Sequence, residues 1–184
     1  MLKGKTQVLS FMAVAIALNV IGANLALFLR LPIYMDMLGT LTISMLFGPW
    51  LGALTALLSA LISWTSTDIF ALFYAPVAIL TSLICGFLAP KTRLSKNLFW
   101  QSLILSLPGT LVASLITVLL FKGITSSGSS LLVQALHGLG FNMPLSVILV
   151  QSGTDYLDRL ISLFFVVLLV KSLIPRSFPS SLRS

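Results

Sequence analysis

The chain has 184 residues, of which 58% are apolar and only 8% charged, and its mean hydropathy is +1.09. That composition excludes an ordinary soluble globule, and at roughly 20 residues per crossing it allows about six spanning helices with little beyond loops left over. Eleven Lys or Arg against four Asp give a net charge of +7; the basic residues are scattered between apolar runs instead of forming one stripe, which argues for membrane topology and against nucleic acid.

The first apolar run follows Lys3 and Lys5 and extends over about 7–29. It is longer than the roughly 7–15 residues of a cleaved signal, and more apolar runs follow, so a retained helix ending before Pro32 is expected, with no cleaved leader. A short second helix, about 35–47, carries Thr40, Thr42 and Ser44 and stops at Gly48 and Pro49; a third, about 50–63, follows. Two spans this short need a turn inside the protein or a locally thinned bilayer. A fourth helix is expected over about 69–88 with Pro76 inside it, then a basic hairpin from Lys91 to Lys96. The fifth, about 98–121, contains Pro108 and Gly109 as a kink, and a Gly- and Ser-rich loop, 123–130, comes next.

Between Leu131 and Val150 the apolar pattern is interrupted by Gln134, His137, Gly138, Gly140, Asn142 and Pro144, so a re-entrant or surface segment is expected there. The last helix, about 154–174, is expected to open on a capping box of Ser152 and Asp155 and to end at Lys171 before Pro175. The fold class is therefore an all-α integral membrane protein, one domain over residues 1–184 with six transmembrane helices and a re-entrant or surface segment before the last. Six crossings place both termini on the cytoplasmic side of the cell membrane. Lys3, Lys5, Lys91, Arg93, Lys96, Lys171, Arg176 and Arg183 then lie inside, while Arg30, Lys122, Arg159 and all four acids fall on the outer half.

An ionisable group at bilayer depth costs about 2.5–3.5 kcal/mol unless it faces a cavity or a partner, so charged residues at helix ends point to a pocket. Asp36, Asp68, Asp155, Asp158, Arg30 and Arg159 meet that description, and Asp36, Asp68, Asp158 and Arg30 are candidate substrate-binding residues. Tyr34, Tyr74, His137, Asn142 and Gln151, at the same outer ends, offer stacking faces and hydrogen bonds for a flat heterocycle, and Asn24 joins them. Structural roles compete: Asp155 and Arg159, four apart, are spaced to pair, Asp155 and Asp158 suit a helix N-terminal dipole, and Trp64, Tyr74 and Tyr156 suit a membrane interface. Asn19, deep in the first helix, is expected to hydrogen-bond between helices. Gly48, Gly52, Ala56 and Ala60 recur every fourth residue and suit internal packing, and Ala13 and Ala17 repeat the spacing.

The chain lacks the Gly-x-x-x-x-Gly-Lys-Ser/Thr phosphate loop, a Gly-x-Ser-x-Gly elbow, a His-Glu-x-x-His pair and any Glu. It is read as a transport subunit and not an enzyme, with any ATP drive supplied by another subunit. One Cys, Cys85, and one His, His137, leave no route to an internal disulfide or a structural zinc site, and no metal or cofactor is expected.

The segment from Ala17 to Gly52, ALNVIGANLALFLRLPIYMDMLGTLTISMLFGPWLG, resembles the start of the substrate-binding S components of energy-coupling factor vitamin transporters, and TDYLDRLISLFFVVLLVKSLIP resembles their last helix. The resemblance implies a six-helix subunit that captures a vitamin or precursor from outside. It would dock through its first helix on a transmembrane coupling subunit driven by two ATPase subunits, and topple in the bilayer to release its ligand. It implies that Ala13 and Ala17 form the partner-docking motif, that the loop from Arg30 to Asp36 covers the substrate, and that the region from Leu131 to Gln151 is the family's variable loop. Within the riboflavin-type group it points to pyridoxine or hydroxymethylpyrimidine ahead of cobalamin, riboflavin and pantothenate. An acidic outer half agrees, since it suits a neutral or weakly basic ring better than an anion. The rival classes are a membrane enzyme, which lacks an inner acid cluster or metal site, and a scaffold protein, which would leave costly acids without a task.

Overall fold

The computed structural model describes residues 5–89 and 97–173, and these are helical with no strand. Seven helices follow in order: α1 (Lys5–Phe28), α2 (Leu38–Phe47), α3 (Pro49–Ser66), α4 (Ala75–Leu88), α5 (Leu98–Phe121), α6 (Ser129–Gly138) and α7 (Met143–Leu173). By length and composition α1 and α5 are long and apolar enough to cross a membrane, whereas α2 and α4 are apolar but shorter. Lys3, Arg176, Arg183 and the basic hairpin with Lys91, Arg93 and Lys96 lie outside the described residues.

Helix α1 ends in a Schellman motif. Arg30 takes the left-handed conformation (φ 51°), its N–H bonds to Leu27 O, and Leu31 N–H reaches back to Ala26 O at 2.9 Å. Pro32 then prevents any continuation. Between α2 and α3 the chain turns on a single residue: Gly48 has φ 97°, which a side chain would disfavour, and Pro49 opens α3 where a missing N–H costs nothing.

Close approach of α1 and α2 depends on glycine. A Cβ at Gly39 would strike the Ala15 carbonyl, and one at Gly22 would strike the Met35 carbonyl. Asn19 fastens this contact as the sequence leads one to expect: its Nδ2 donates to Thr40 Oγ1 (2.8 Å) and Ser59 Oγ (3.0 Å), while its Oδ1 accepts the N–H of Gly39 (2.7 Å). One α1 side chain thus caps an orphan donor in the first turn of α2 and reaches α3 as well. The small-residue series in α3 packs inward, with Gly52, Ala56 and Ala60 buried, whereas Ala13 and Ala17 on α1 are exposed. The main apolar core joins Met37 to Leu41 of α2, Cys85 of α4, Leu105 of α5 and Leu163 and Val166 of α7.

Two helix starts differ from the sequence expectation, and proline explains both. The last helix begins at Met143, not near 154, so Ser152 and Asp155 are interior and form no capping box; Ser152 Oγ instead bonds back to Ile148 O. Asn142 makes the cap, its Oδ1 accepting Leu145 N–H at 2.9 Å, and Pro144 sits in the first turn, where it is tolerated. Asn142 and Pro144, which interrupt the apolar pattern, are start signals. Likewise α4 begins at Ala75, with Pro76 in its first turn instead of inside a span, and the preceding residues form turns. The segment 131–150 resolves into most of α6, a turn, and the opening of α7.

Candidate functional site

One end of the bundle holds an open cavity of about 120 Å³. Its inner wall is smooth because the helices present alanine there: Ala23 and Ala26 from α1, Ala56 and Ala60 from α3, Ala75 and Ala78 from α4. Methyl groups at these positions leave room that Leu or Phe would occupy. Three connections form the rim, 29–37, 67–74 and 122–128, and they bring Tyr34, Asp36, Asp68, Phe70, Tyr74 and Ser126 to it. Helix α7 contributes Asp155 and Arg159.

The rim is held by side chains of α7. Asp158, only 1% exposed, accepts the backbone N–H groups of both Tyr34 and Met35 on Oδ1, each at 2.9 Å. Met35 is left-handed (φ 55°), a conformation that lets consecutive N–H groups converge on one acceptor. The other oxygen of Asp158 pairs with Arg159 Nη1 at 2.8 Å. The sequence spacing suggested that Arg159 pairs with Asp155; it takes its neighbour Asp158 instead, and Asp155 accepts from Thr110 Oγ1 of α5 at 2.8 Å. Neither acid serves a helix N-terminus, because both lie well inside α7.

Asp36 is different. Its Oδ1 is buried and has no hydrogen-bond partner among the described residues. Burial first, and the charge of Asp158 second, push this carboxyl up to about 6, against the opposing pull of Arg159. Asp68 accepts Phe70 N–H (3.1 Å) within its own turn and Ser126 Oγ (2.9 Å) from the loop across the mouth. Tyr34 OH meets Ser129 Oγ at 3.3 Å, which ties the first connection to the start of α6.

Gln151 acts from behind the wall. Its Oε1 accepts from Ser114 Oγ (2.7 Å), and its Nε2 donates to Thr117 Oγ1 (2.8 Å). The Thr117 hydroxyl donates to Ala113 O, so it must accept from Tyr74 OH at 2.6 Å. Tyr74 is thereby oriented through Thr117 by Gln151, and burial pushes its phenol up to about 12, so it remains a donor.

Of the residues singled out in the sequence, Tyr34, Asp36, Asp68, Tyr74, Asp155 and Arg159 line the cavity, and Asp158 and Gln151 are buried without lining it. Four lie elsewhere. Asn24 bonds back to Val20 O in its own helix, and Arg30 is an exposed helix-capping residue. His137 is exposed, with Nδ1 on Phe141 O, and Asn142 caps α7. Tyr156 packs against Phe99 with ring centroids 5.5 Å apart. The alanine wall and the hydroxyls of Ser59 and Ser63 on α3 also line the cavity; in the sequence they show only as small or hydroxylated residues at helical spacing, a pattern that equally suits packing. Among the described residues no group of three or more His, Cys, Asp or Glu is placed to hold a metal.

A family model described as the ECF transporter, substrate-specific component, matches residues 7–177. No curated protein and no solved structure matches the chain. That family match spans nearly every residue, including all but the first two residues of α1, the other six helices and the whole cavity, and the chain belongs to the substrate-specific components of ECF transporters.

Proposed function

We propose that the alanine-walled cavity binds a vitamin or vitamin precursor, pyridoxine or hydroxymethylpyrimidine before others, and that the chain delivers it to an ATP-driven importer. Family membership makes the chain a membrane-embedded substrate-binding subunit that associates with a transmembrane coupling subunit and ATPases. In this reading α1 to α5 and α7 cross the bilayer, both termini are cytoplasmic, and Ala13 and Ala17 seat the coupling subunit.

One observation carries the choice of ligand. The lining includes the carboxylates of Asp36, Asp68 and Asp155 against the single guanidinium of Arg159, and that guanidinium is already paired with Asp158. An anionic ligand would meet uncompensated negative charge at low dielectric, whereas a neutral or weakly basic ring can donate hydrogen bonds to carboxylates. Tyr34, Phe70 and Tyr74 supply flat faces for such a ring. A ligand shifts a conformational equilibrium only by binding its states unequally. The three rim connections provide that inequality by closing on the ring.

The test is thermal unfolding of the purified chain with a panel of vitamins. A ligand present at about 100 times its dissociation constant adds about 2.7 kcal/mol, enough to read as a clear shift. Stabilisation by pyridoxine or hydroxymethylpyrimidine supports the reading. Stabilisation by pantothenate alone would overturn it.

A further inference from the structure

Asp155 and Arg159 stand one turn apart on α7, and both line the cavity. At that spacing Cβ atoms lie about 5–6 Å apart, which suits an ion pair. Yet no Arg159 nitrogen comes within 4.0 Å of an Asp155 oxygen. Each side chain is drawn aside by another partner: Arg159 Nη1 donates to Asp158 Oδ2, and Asp155 Oδ2 accepts from Thr110 Oγ1. Much of their capacity is left over. A guanidinium has five N–H donors, and Nε and Nη2 of Arg159 have no partner among the described residues; Asp155 Oδ1 has none either. None of these atoms is sealed in protein as Asp36 Oδ1 is, so their unused capacity opens on the cavity that both residues line.

We infer that a ligand hydroxyl completes this interrupted pair, donating to Asp155 Oδ1 and accepting from the free N–H groups of Arg159. The inference rests on the cavity being the importer's ligand site and assigns the two residues that read the ligand's polar substituent. A hydroxyl both donates and accepts through a single atom. A carboxylate or phosphate in the same gap would accept from Arg159 but meet Asp155 as a like charge, and an ammonium would do the reverse. A methyl group would leave both side chains unsatisfied after excluding water from them. The bridge is charge-assisted at both ends, because its acceptor is an anion and its donor a cation. Asp158 and Thr110 are buried without lining the cavity and act as positioning residues: they hold guanidinium and carboxylate apart, so the gap stays open to a bridging group.

Isothermal titration of the full purified chain compares hydroxylated probes with their deoxy forms: 4-amino-5-hydroxymethyl-2-methylpyrimidine against its 5-methyl counterpart, and pyridoxine against its 3-, 4- and 5-deoxy forms. For a parent compound that binds, loss of one particular hydroxyl should weaken binding at least about tenfold, since two charge-assisted bonds go with it. A smaller loss for every deoxy form overturns the inference and leaves the importer reading standing, and this comparison needs no variant. Asp155→Asn and Arg159→Lys should each shrink that ratio severalfold, because the hydroxylated compound loses more than the deoxy compound does. A merely structural role would weaken both compounds alike; a ratio unchanged in both variants therefore overturns the assignment to this pair. If neither parent binds, the ligand reading itself falls, and the inference falls with it.

Discussion

The backbone N–H of Tyr34 lies 2.9 Å from Oδ1 of Asp158, a residue 124 positions later in the chain. This bond, with its twin from Met35, fixes the first connection to the last helix at the cavity rim. The same carboxylate holds Arg159, so one side chain serves three donors.

Asp158→Ala should therefore be severe. It leaves two backbone donors and a buried guanidinium unpaired, a loss of about 3–5 kcal/mol by analogy with broken buried pairs. Asp158→Asn keeps an acceptor for Tyr34 and Met35 and should cost less. Unfolding midpoints of the two variants in the same detergent check the order; equal midpoints would mean that the rim does not depend on this carboxylate.

Asn19→Ala should cost about 1–3 kcal/mol, because it removes bonds to both α2 and α3 and strands the Gly39 N–H. Asn19→Asp retains the acceptor for that N–H but loses both donations and buries an ionisable carboxyl, so it should cost at least as much as alanine. The readout is thermal stability, with far-ultraviolet dichroism to show that helix content survives.

Gly39→Ala tests the close crossing of α1 and α2. The added methyl meets the Ala15 carbonyl, a backbone atom that cannot rotate away, so the helices must separate. A stability loss larger than that of Gly138→Ala is expected, since a Cβ at Gly138 has open space around it. Parallel melting curves would show it.

Asp36 gives a pH dependence of definite sign. Its carboxyl is pushed up to about 6 in the folded chain, chiefly by burial and then by Asp158, with Arg159 opposing and Asp68 adding to the rise. The unfolded value is about 3.9, so the folded chain binds more protons between the two. Stability from this group is fully present below about pH 4 and is lost as pH rises through about 6. Asp36→Asn should flatten that part of the profile. Unfolding midpoints across this range, compared for the two proteins, measure it.

Leucine at Ala13 and Ala17 should leave ligand binding by the isolated chain intact and abolish co-purification with the coupling subunit. Both residues are exposed on α1 and neither lines the cavity. Uptake and complex assembly that survive both replacements would remove this face from the docking reading.

Uniform apolar runs made α1 and α5 readable, because length and hydropathy alone define them. The start of α7 was not, since Pro144 and Asn142 have one meaning inside a helix and the opposite meaning at its beginning. Residues near the cavity were partly readable: acids in a membrane chain call for partners, and Asp36 and Asp68 do line it. His137, Asn142 and Arg30 share that outer end in sequence, but they are exposed and do not line it. Periodicity describes neighbours along a helix, and the partnership of Tyr34 with Asp158 spans nearly the whole fold. The pairing of Arg159 failed for a related reason: spacing by four identifies a possible mate and says nothing of a closer rival.

The alanine wall carries one more consequence. Because methyl groups from α1, α3, α4 and α5 line the chamber, its capacity can be trimmed by adding carbon at single positions. Ala56→Val or Ala78→Val would each narrow the room, so closely related chains with the same scaffold could sort cargoes by girth alone.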